Sequence, residues 1–463
     1  MSGKFLKIGS LIFLQIVMVG NLQALPANAI YGAALPFLYF IGVIGFFIPC
    51  GLMVAELATT HPQTGGAYIW SEKAFGPSMG FFTICILWVS NLLWYPSIFV
   101  LIAANLAYLF QESLAHSRSF VFGFSLLAFW GVTGLNCMGV KVSTRLSIFF
   151  GIIGVILPML ILILGAVLWA TFGHEISIQT AQVDYLPSMA SINNPAFLIA
   201  IAISLFGLEL TAVHAGDAVN PRRDYPRSLL ISGSALVGLL LMSELAIAII
   251  VPTQKLSLVT GLLDAIRYFF HAVHMPYLIK PVLVLIFLGN LGSVAAWMLA
   301  TTRGMYVGCK RNDLAAFLQK TNKHQAPVGI LLFEALLFSL ACSVFLIFPQ
   351  ISDSFWLLLV LSSQVSLVYY IILFASAVLL RNKTPSAEGF RIPGGKKVLW
   401  SIMGLGALTS LVSFMAGFIS PFTGNVERGF IFHLLIWTGL MLALFLPLLL
   451  LLTKKEISTE RLE

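Results

Sequence analysis

The reading of this chain turns on Phe206-Gly207-Leu208-Glu209. The four residues lie inside an apolar run from about 195 to 219, long enough to cross a bilayer. A charge near the membrane centre costs at least about 2.5–3.5 kcal/mol, so intramembrane acids face cavities and mark pathways. Gly207, two positions before the acid, lets the backbone open and leaves peptide groups free to meet a solute. The plainer reading of Glu209 is a buried acid paired with a neighbouring helix.

The surrounding composition fits a membrane setting. Of 463 residues, 59% are hydrophobic and 10% charged, and the mean hydropathy is +0.97. This excludes a soluble domain and implies an all-α polytopic protein whose surroundings are a lipid bilayer. The net charge of +8 sits in short gaps between apolar runs, a distribution of membrane loops rather than of a nucleic-acid surface. Cys50, Cys85, Cys137, Cys309 and Cys342 lack CxxC spacing and read as small apolar packers. No HExxH, GxSxG or intramembrane aspartate pair appears, so neither enzyme chemistry nor a cofactor or metal is expected. Lys4 and Lys7 precede an apolar run ending in Ala27-Asn28-Ala29, which imitates a signal peptide. Gly20, Asn21, Gln23 and Pro26 interrupt that run, so it is expected to be retained as the first span.

Hydropathy predicts twelve spans, with cores at 8–32, 35–58, 77–110, 120–138, 146–171, 195–219, 227–251, 276–302, 327–348, 354–380, 398–420 and 430–452. The run from Gly76 to Gln111 exceeds one perpendicular crossing and implies tilt or an extension beyond the bilayer. With the N-terminus inside, only Arg118, Lys255, Arg267, Lys280 and Arg428 of the 26 basic residues fall outside. Both termini are therefore expected in the cytoplasm. Span 1 carries Gly20-Asn21-Leu22-Gln23 followed by Pro26, and span 6 carries Phe206-Gly207-Leu208-Glu209. Five spans separate them, so they run in opposite directions. Interrupted helices at matching places in two halves point to inverted repeats that carry a solute by alternating access. The expectation is one transmembrane domain with repeats over about 8–171 and 195–380 and two appended helices over about 398–452.

Three stretches carry a resemblance. The first is Glu56-Leu57-Ala58-Thr59-Thr60-His61-Pro62-Gln63-Thr64-Gly65-Gly66-Ala67-Tyr68-Ile69-Trp70, ending at Phe75-Gly76-Pro77. The second is Phe206-Gly207-Leu208-Glu209 through Asn220-Pro221-Arg222-Arg223-Asp224-Tyr225-Pro226. The third is Thr302-Arg303-Gly304-Met305-Tyr306-Val307, with Ala326-Pro327-Val328 and Phe390-Arg391-Ile392-Pro393-Gly394-Gly395-Lys396 further on. Together they resemble the amino acid–polyamine–organocation superfamily, and the second is similar to its glutamate/γ-aminobutyrate antiporter branch. The resemblance implies a five-plus-five inverted repeat with discontinuous helices 1 and 6, plus helices 11 and 12. It also implies an amino-acid site at the breaks, in a bacterial-type inner membrane. The short stretch after span 12 is unlike the long tail that plugs the inner vestibule of acid-resistance antiporters. Span 5 has no embedded lysine, which speaks against the lysine-based proton relay of some proton-coupled relatives.

An amino acid presents a carboxylate and an ammonium, and a broken helix can answer both. The N–H groups of Gly20, Asn21, Leu22 and Gln23 are candidates for the carboxylate, helped by the positive helix end. Carbonyls around Ser204, Leu205 and Phe206, loosened by Gly207, are candidates for the ammonium. Phe206 is either an aromatic lid or one more packed ring among 37 phenylalanines. Glu209 either stays ionised and holds a cation or carries a coupling proton; a coupling or gating role at the edge of the site is favoured. His214 either relays protons or caps the helix end, the commoner use of histidine. Asn91, Trp94 and Tyr95 in span 3, Asn290, Ser293 and Trp297 in span 8, and Gln364 and Tyr369 in span 10 are further lining candidates. Glu244 and Glu334 are expected to be paired or snorkelling away from the site. Arg222, Arg223 and Asp224 either form ion pairs that break on opening or anchor the loop. A sodium site beside spans 1 and 8 would draw on Ser293, Thr301 and Thr302, a weak set. A polyamine or proton-coupled permease is the alternative to an amino-acid antiporter. A channel would need a filter element that the chain does not offer.

Overall fold

The computed structural model describes residues 7–20, 22–63, 65–139, 146, 149–178, 201, 204–252, 255–347, 350–384, 388–419 and 426–452. Among them ten helices are long and apolar enough to cross a membrane. In chain order the elements are α1 (Ile8–Val19), α2 (Ala24–Ala29), α3 (Gly32–Thr60), α4 (Ala67–Phe75), α5 (Pro77–Phe110), α6 (Arg118–Cys137) and α7 (Phe149–Thr171). A 3₁₀ segment, Leu208–Asp217, then leads into α8 (Pro221–Ile250). The remainder are α9 (Gly261–Ala272), α10 (Ile279–Arg311), α11 (Val328–Ala341), α12 (Ile351–Lys383), α13 (Gly395–Ala416) and α14 (Val426–Leu451). Spans 1 and 6 of the sequence reading are not among the ten. Span 1 is divided between α1 and α2, and most of span 6 before its break lies outside the described residues.

Side-chain exposure follows the demands of lipid. Leu230, Leu340, Leu442 and Leu452 are 70–82% exposed, as suits apolar chains facing hydrocarbon. By contrast α5 and α12 are almost wholly enclosed by other helices. At about 1.5 Å per residue, the 34 residues of α5 extend about 51 Å, well beyond a hydrocarbon core of about 30 Å. The long apolar run of the sequence is thus a single helix, with Pro96 inside it.

Small residues fix one close helix crossing. Gly154, in a π-turn of α7, lies against Gly289 of α10, and a Cβ on either would overlap the other's backbone. Such contacts bring backbones together where packing, not hydrophobicity, drives association. This crossing anchors the part of α10 that carries Asn290, Ser293 and Trp297. Spaced three and four residues apart, those three share one helix face.

At the N-terminal end of the bundle the helix ends are stitched by charge. Arg381 of α12 pairs with Glu56 of α3 at 2.5 Å, both nearly buried. The same carboxylate accepts the Ile392 N–H at 2.9 Å, so the chain entering α13 is tied to α3. Arg311 of α10 pairs with Glu72 of α4 at 2.5 Å. Arg222, a candidate gate residue, pairs with Glu388 on the surface. Exposed pairs of this kind contribute about 0–1 kcal/mol, whereas stranding one member of the nearly buried Arg381–Glu56 pair would cost several.

Candidate functional site

The two helix breaks are local consequences of sequence. α1 ends at Val19; Gly20 leaves the helix with an extended backbone and donates its N–H to the Ile16 carbonyl at 2.7 Å. α2 restarts at Ala24 and carries Pro26 in its first turn, where a proline costs no hydrogen bond. In the second break Gly207 has φ +109°, a conformation that L side chains rarely adopt. Its N–H donates to the Tyr370 hydroxyl at 2.9 Å, and that hydroxyl donates to Glu209 Oε2 at 2.9 Å. A residue of α12 thus holds both the break and the acid that follows it.

Between the breaks lies a cavity of about 40 Å³. That is space for a few water molecules, on the order of 10–15 Å³ each by this measure. Met18, Val19, Gly20 and Leu22 line it from the first break and Phe206 from the second. Three helices each add one stripe at helical spacing: Asn91, Trp94 and Ile98 of α5, Asn290, Ser293 and Trp297 of α10, and Ser362, Ser363 and Ser366 of α12. The cavity is bounded by aromatic rings. The Trp94 and Trp297 centroids are 5.2 Å apart, and Phe206 packs on Phe46 at 5.3 Å and on Tyr370 at 4.9 Å. Trp297 Nε1 donates to the Met18 carbonyl at 2.6 Å, at the open end of α1. Asn91 and Asn290 each donate to the carbonyl one turn back, at 2.8 and 3.0 Å, which fixes their orientation.

Eight of the candidates read from sequence line this one cavity: Gly20, Leu22, Phe206, Asn91, Trp94, Asn290, Ser293 and Trp297. Others are close but engaged elsewhere. Gln23 donates to Ser97 Oγ at 2.8 Å, and Ser204 Oγ accepts from Asn28 at 2.8 Å, so both side chains tie helices together. Leu205 is fully buried and Gly207 lies behind Phe206; neither is in the lining. Glu209 is buried beyond the cavity wall, with Oε1 lacking a partner among the described residues. Asn21 and the His214 side chain lie outside the described residues. Thr301 and Thr302 donate to carbonyls of their own helix, at 3.0 and 2.6 Å, rather than forming an oxygen cage. Among the described residues no group of three His, Cys, Asp or Glu could hold a metal ion.

Two groups escaped the sequence reading. Tyr370, rather than its neighbour Tyr369, bonds both the break and Glu209. Gln15 of α1 accepts from Ser232 at 2.7 Å and donates to Ser228 at 3.2 Å, linking α1 to α8. Both are polar residues inside apolar runs, a signal present in the sequence but shared with many inert hydrogen bonds. Glu244 is also more central than expected: fully buried on α8, it accepts from Asn28 at 2.7 Å and from Tyr39 at 2.8 Å. At the loop after α3, burial and then Lys73 push the His61 imidazole down to about 4. It therefore stays neutral through the physiological range and does not sense pH there.

Comparison with known proteins is consistent over nearly the whole chain. Residues 4–441 match the family model described as amino acid permease. An uncharacterized transporter of Legionella pneumophila is 37% identical over 447 residues, covering 96% of each chain. A glutamate/γ-aminobutyrate antiporter of Lactococcus lactis is 25% identical over 412 residues, covering 87% of this chain and 82% of the relative. Among solved structures, that of MhsT in complex with L-phenylalanine superposes with a TM-score of 0.63 at 13% identity, covering 90% of this chain and 99% of the other. That likeness is one of fold.

Proposed function

Because this chain belongs to the amino acid permease family, we propose that it is a secondary active amino-acid antiporter of the glutamate/γ-aminobutyrate type, working by alternating access. The observation that carries the proposal is the cavity between two helix breaks, lined by loosened backbone, two asparagines and four serines under a pair of tryptophans. The backbone at Gly20, Asn21, Leu22 and Gln23 binds the substrate carboxylate. Carbonyls at 204–206 and the oxygens of Asn91, Asn290 and Ser362 take the ammonium. Phe206 closes over the bound zwitterion. Glu209 gates the site through Tyr370 and Gly207, with His214 on its cytoplasmic side. Repeats over about 8–171 and 195–380 rock against each other in an inner membrane, with both termini cytoplasmic. Identity to glutamate/γ-aminobutyrate antiporters over most of the chain supports the substrate class.

The test is counterflow in proteoliposomes, using labelled L-glutamate, γ-aminobutyrate and a panel of other amino acids and amines. Uptake of label should rise roughly tenfold or more when the same or a partner amino acid is loaded inside, because exchange lets each carrier return loaded. Accumulation driven only by an imposed pH gradient, with no acceleration by internal substrate, would favour the proton-coupled alternative. Acceleration by polyamines alone would favour an amine carrier.

A further inference from the structure

A second buried carboxyl lies apart from the cavity lining. Glu244 of α8 is 0% exposed, and none of the ion pairs among the described residues includes it. Its Oε1 accepts from Asn28 Nδ2 of α2 at 2.7 Å and from the Tyr39 hydroxyl of α3 at 2.8 Å. The same Asn28 Nδ2 donates to Ser204 Oγ, just before the second break, at 2.8 Å. Two buried acceptors in this cluster, Glu244 Oε2 and Asn28 Oδ1, have no partner among the described residues.

The donor inventory is therefore short. Both Asn28 amide hydrogens and the Tyr39 hydrogen are already committed. A bare carboxylate here would be a membrane-embedded charge without a counter-ion, with one oxygen unsatisfied, at a cost of several kcal/mol. One proton on Oε2 removes the charge and supplies a donor. Tyr39 is the titratable side chain that the packed helices bring to Glu244; Asn28 and Ser204 are neutral, and neighbouring Ser243 is directed at the Met159 carbonyl of α7.

Position gives this proton a consequence. Asn28 follows the break in span 1 and Ser204 precedes the break in span 6, so both lie on the side of the cavity away from the N-terminus. Opening on that side separates α2 from the Ser204 segment and admits water, which solvates the Glu244 carboxylate and lets it ionise. We infer that Glu244 is a second proton-binding site, protonated while the Asn28–Ser204 contact is closed and releasing one proton to water when the cavity opens on that side. Higher pH then favours the open form. Glu209 lies on the opposite side of the break, so the two acids bracket the cavity and answer to different gates.

The test needs no substrate. Ile98, a buried cavity residue, is replaced by cysteine in a transport-competent chain whose five native cysteines are alanine. Labelling by a membrane-impermeant thiol reagent is measured against a cysteine at exposed Glu112, so that thiolate fraction cancels. A one-proton equilibrium shifts by up to about tenfold per pH unit, so the labelling ratio should rise roughly tenfold or more between about pH 5 and about pH 8. Glu244→Gln, which mimics the protonated acid, should hold the ratio at its low-pH value throughout. Tyr39→Phe, which keeps the carboxyl, should shift the pH at which the ratio rises and covers the case in which Glu244→Gln fails to fold. Glu209→Gln should retain the rise. A parent chain with no pH dependence would overturn the proposal, as would a full rise in a folded Glu244→Gln chain or a Tyr39→Phe profile that superimposes on the parent.

Discussion

Gly207→Val is expected to reduce substrate affinity by about a hundredfold or more while leaving most of the protein folded. A β-branched residue at φ +109° adds strain on the order of 1–3 kcal/mol. Its Cβ also meets the Trp297 ring at 2.9 Å, so the tryptophan that caps the cavity must move. Strain near the top of that range, with the tryptophan displaced as well, matches the roughly 2.7 kcal/mol that a hundredfold change in affinity represents. The donor from Gly207 to Tyr370 is put at risk as well, because the valine backbone relaxes towards negative φ. Equilibrium binding of the counterflow substrate to purified protein reads the loss, with size-exclusion profile and thermal midpoint as folding controls. Gly207→Ala should fall between the two. Unchanged affinity in the valine variant would remove the second break from the site.

Glu209→Gln is expected to lower the exchange rate by about tenfold or more, with yield and thermal midpoint close to those of the parent. Glutamine still accepts the Tyr370 hydroxyl, so the geometry that holds Gly207 is largely kept. What is lost is a group able to change charge. Hydrogen bonds to charged groups are worth about 1.5–3 kcal/mol, and about 1.4 kcal/mol is tenfold in rate. Counterflow at saturating substrate separates this from weaker binding. Equal losses of folded protein and of exchange would assign Glu209 a structural role only.

The fold was legible at the level where physics is coarse. Apolar runs longer than a bilayer crossing marked the spans, and Gly20 and Gly207 marked where two of them come apart. At those points sequence and structure agree because a missing Cβ has a direct backbone consequence. The site was only partly legible. Asn91, Asn290 and Ser293 stand out as polar groups in apolar helices, and they line the cavity. Gln23 and Ser204 stand out equally, yet their side chains bond Ser97 and Asn28. Nothing local distinguishes the two outcomes; which face a polar residue turns to the cavity depends on helix rotation, set by distant contacts such as Gly154 on Gly289. The role of Tyr370 is not legible in the sequence because it lies in two partners more than 160 positions away. The place of Glu244 is illegible for the same reason: its network joins α2, α3 and α8 across more than 200 positions.

The most direct measurement is a cryo-electron microscopy map of the full chain with the amino acid that drives counterflow. Density for one molecule is expected between the Gly20–Leu22 backbone and Phe206, its carboxylate on the loosened peptide groups of span 1 and its side chain under Trp94 and Trp297. A transported amino acid bound elsewhere, with no density in the cavity between the two breaks, would contradict that placement.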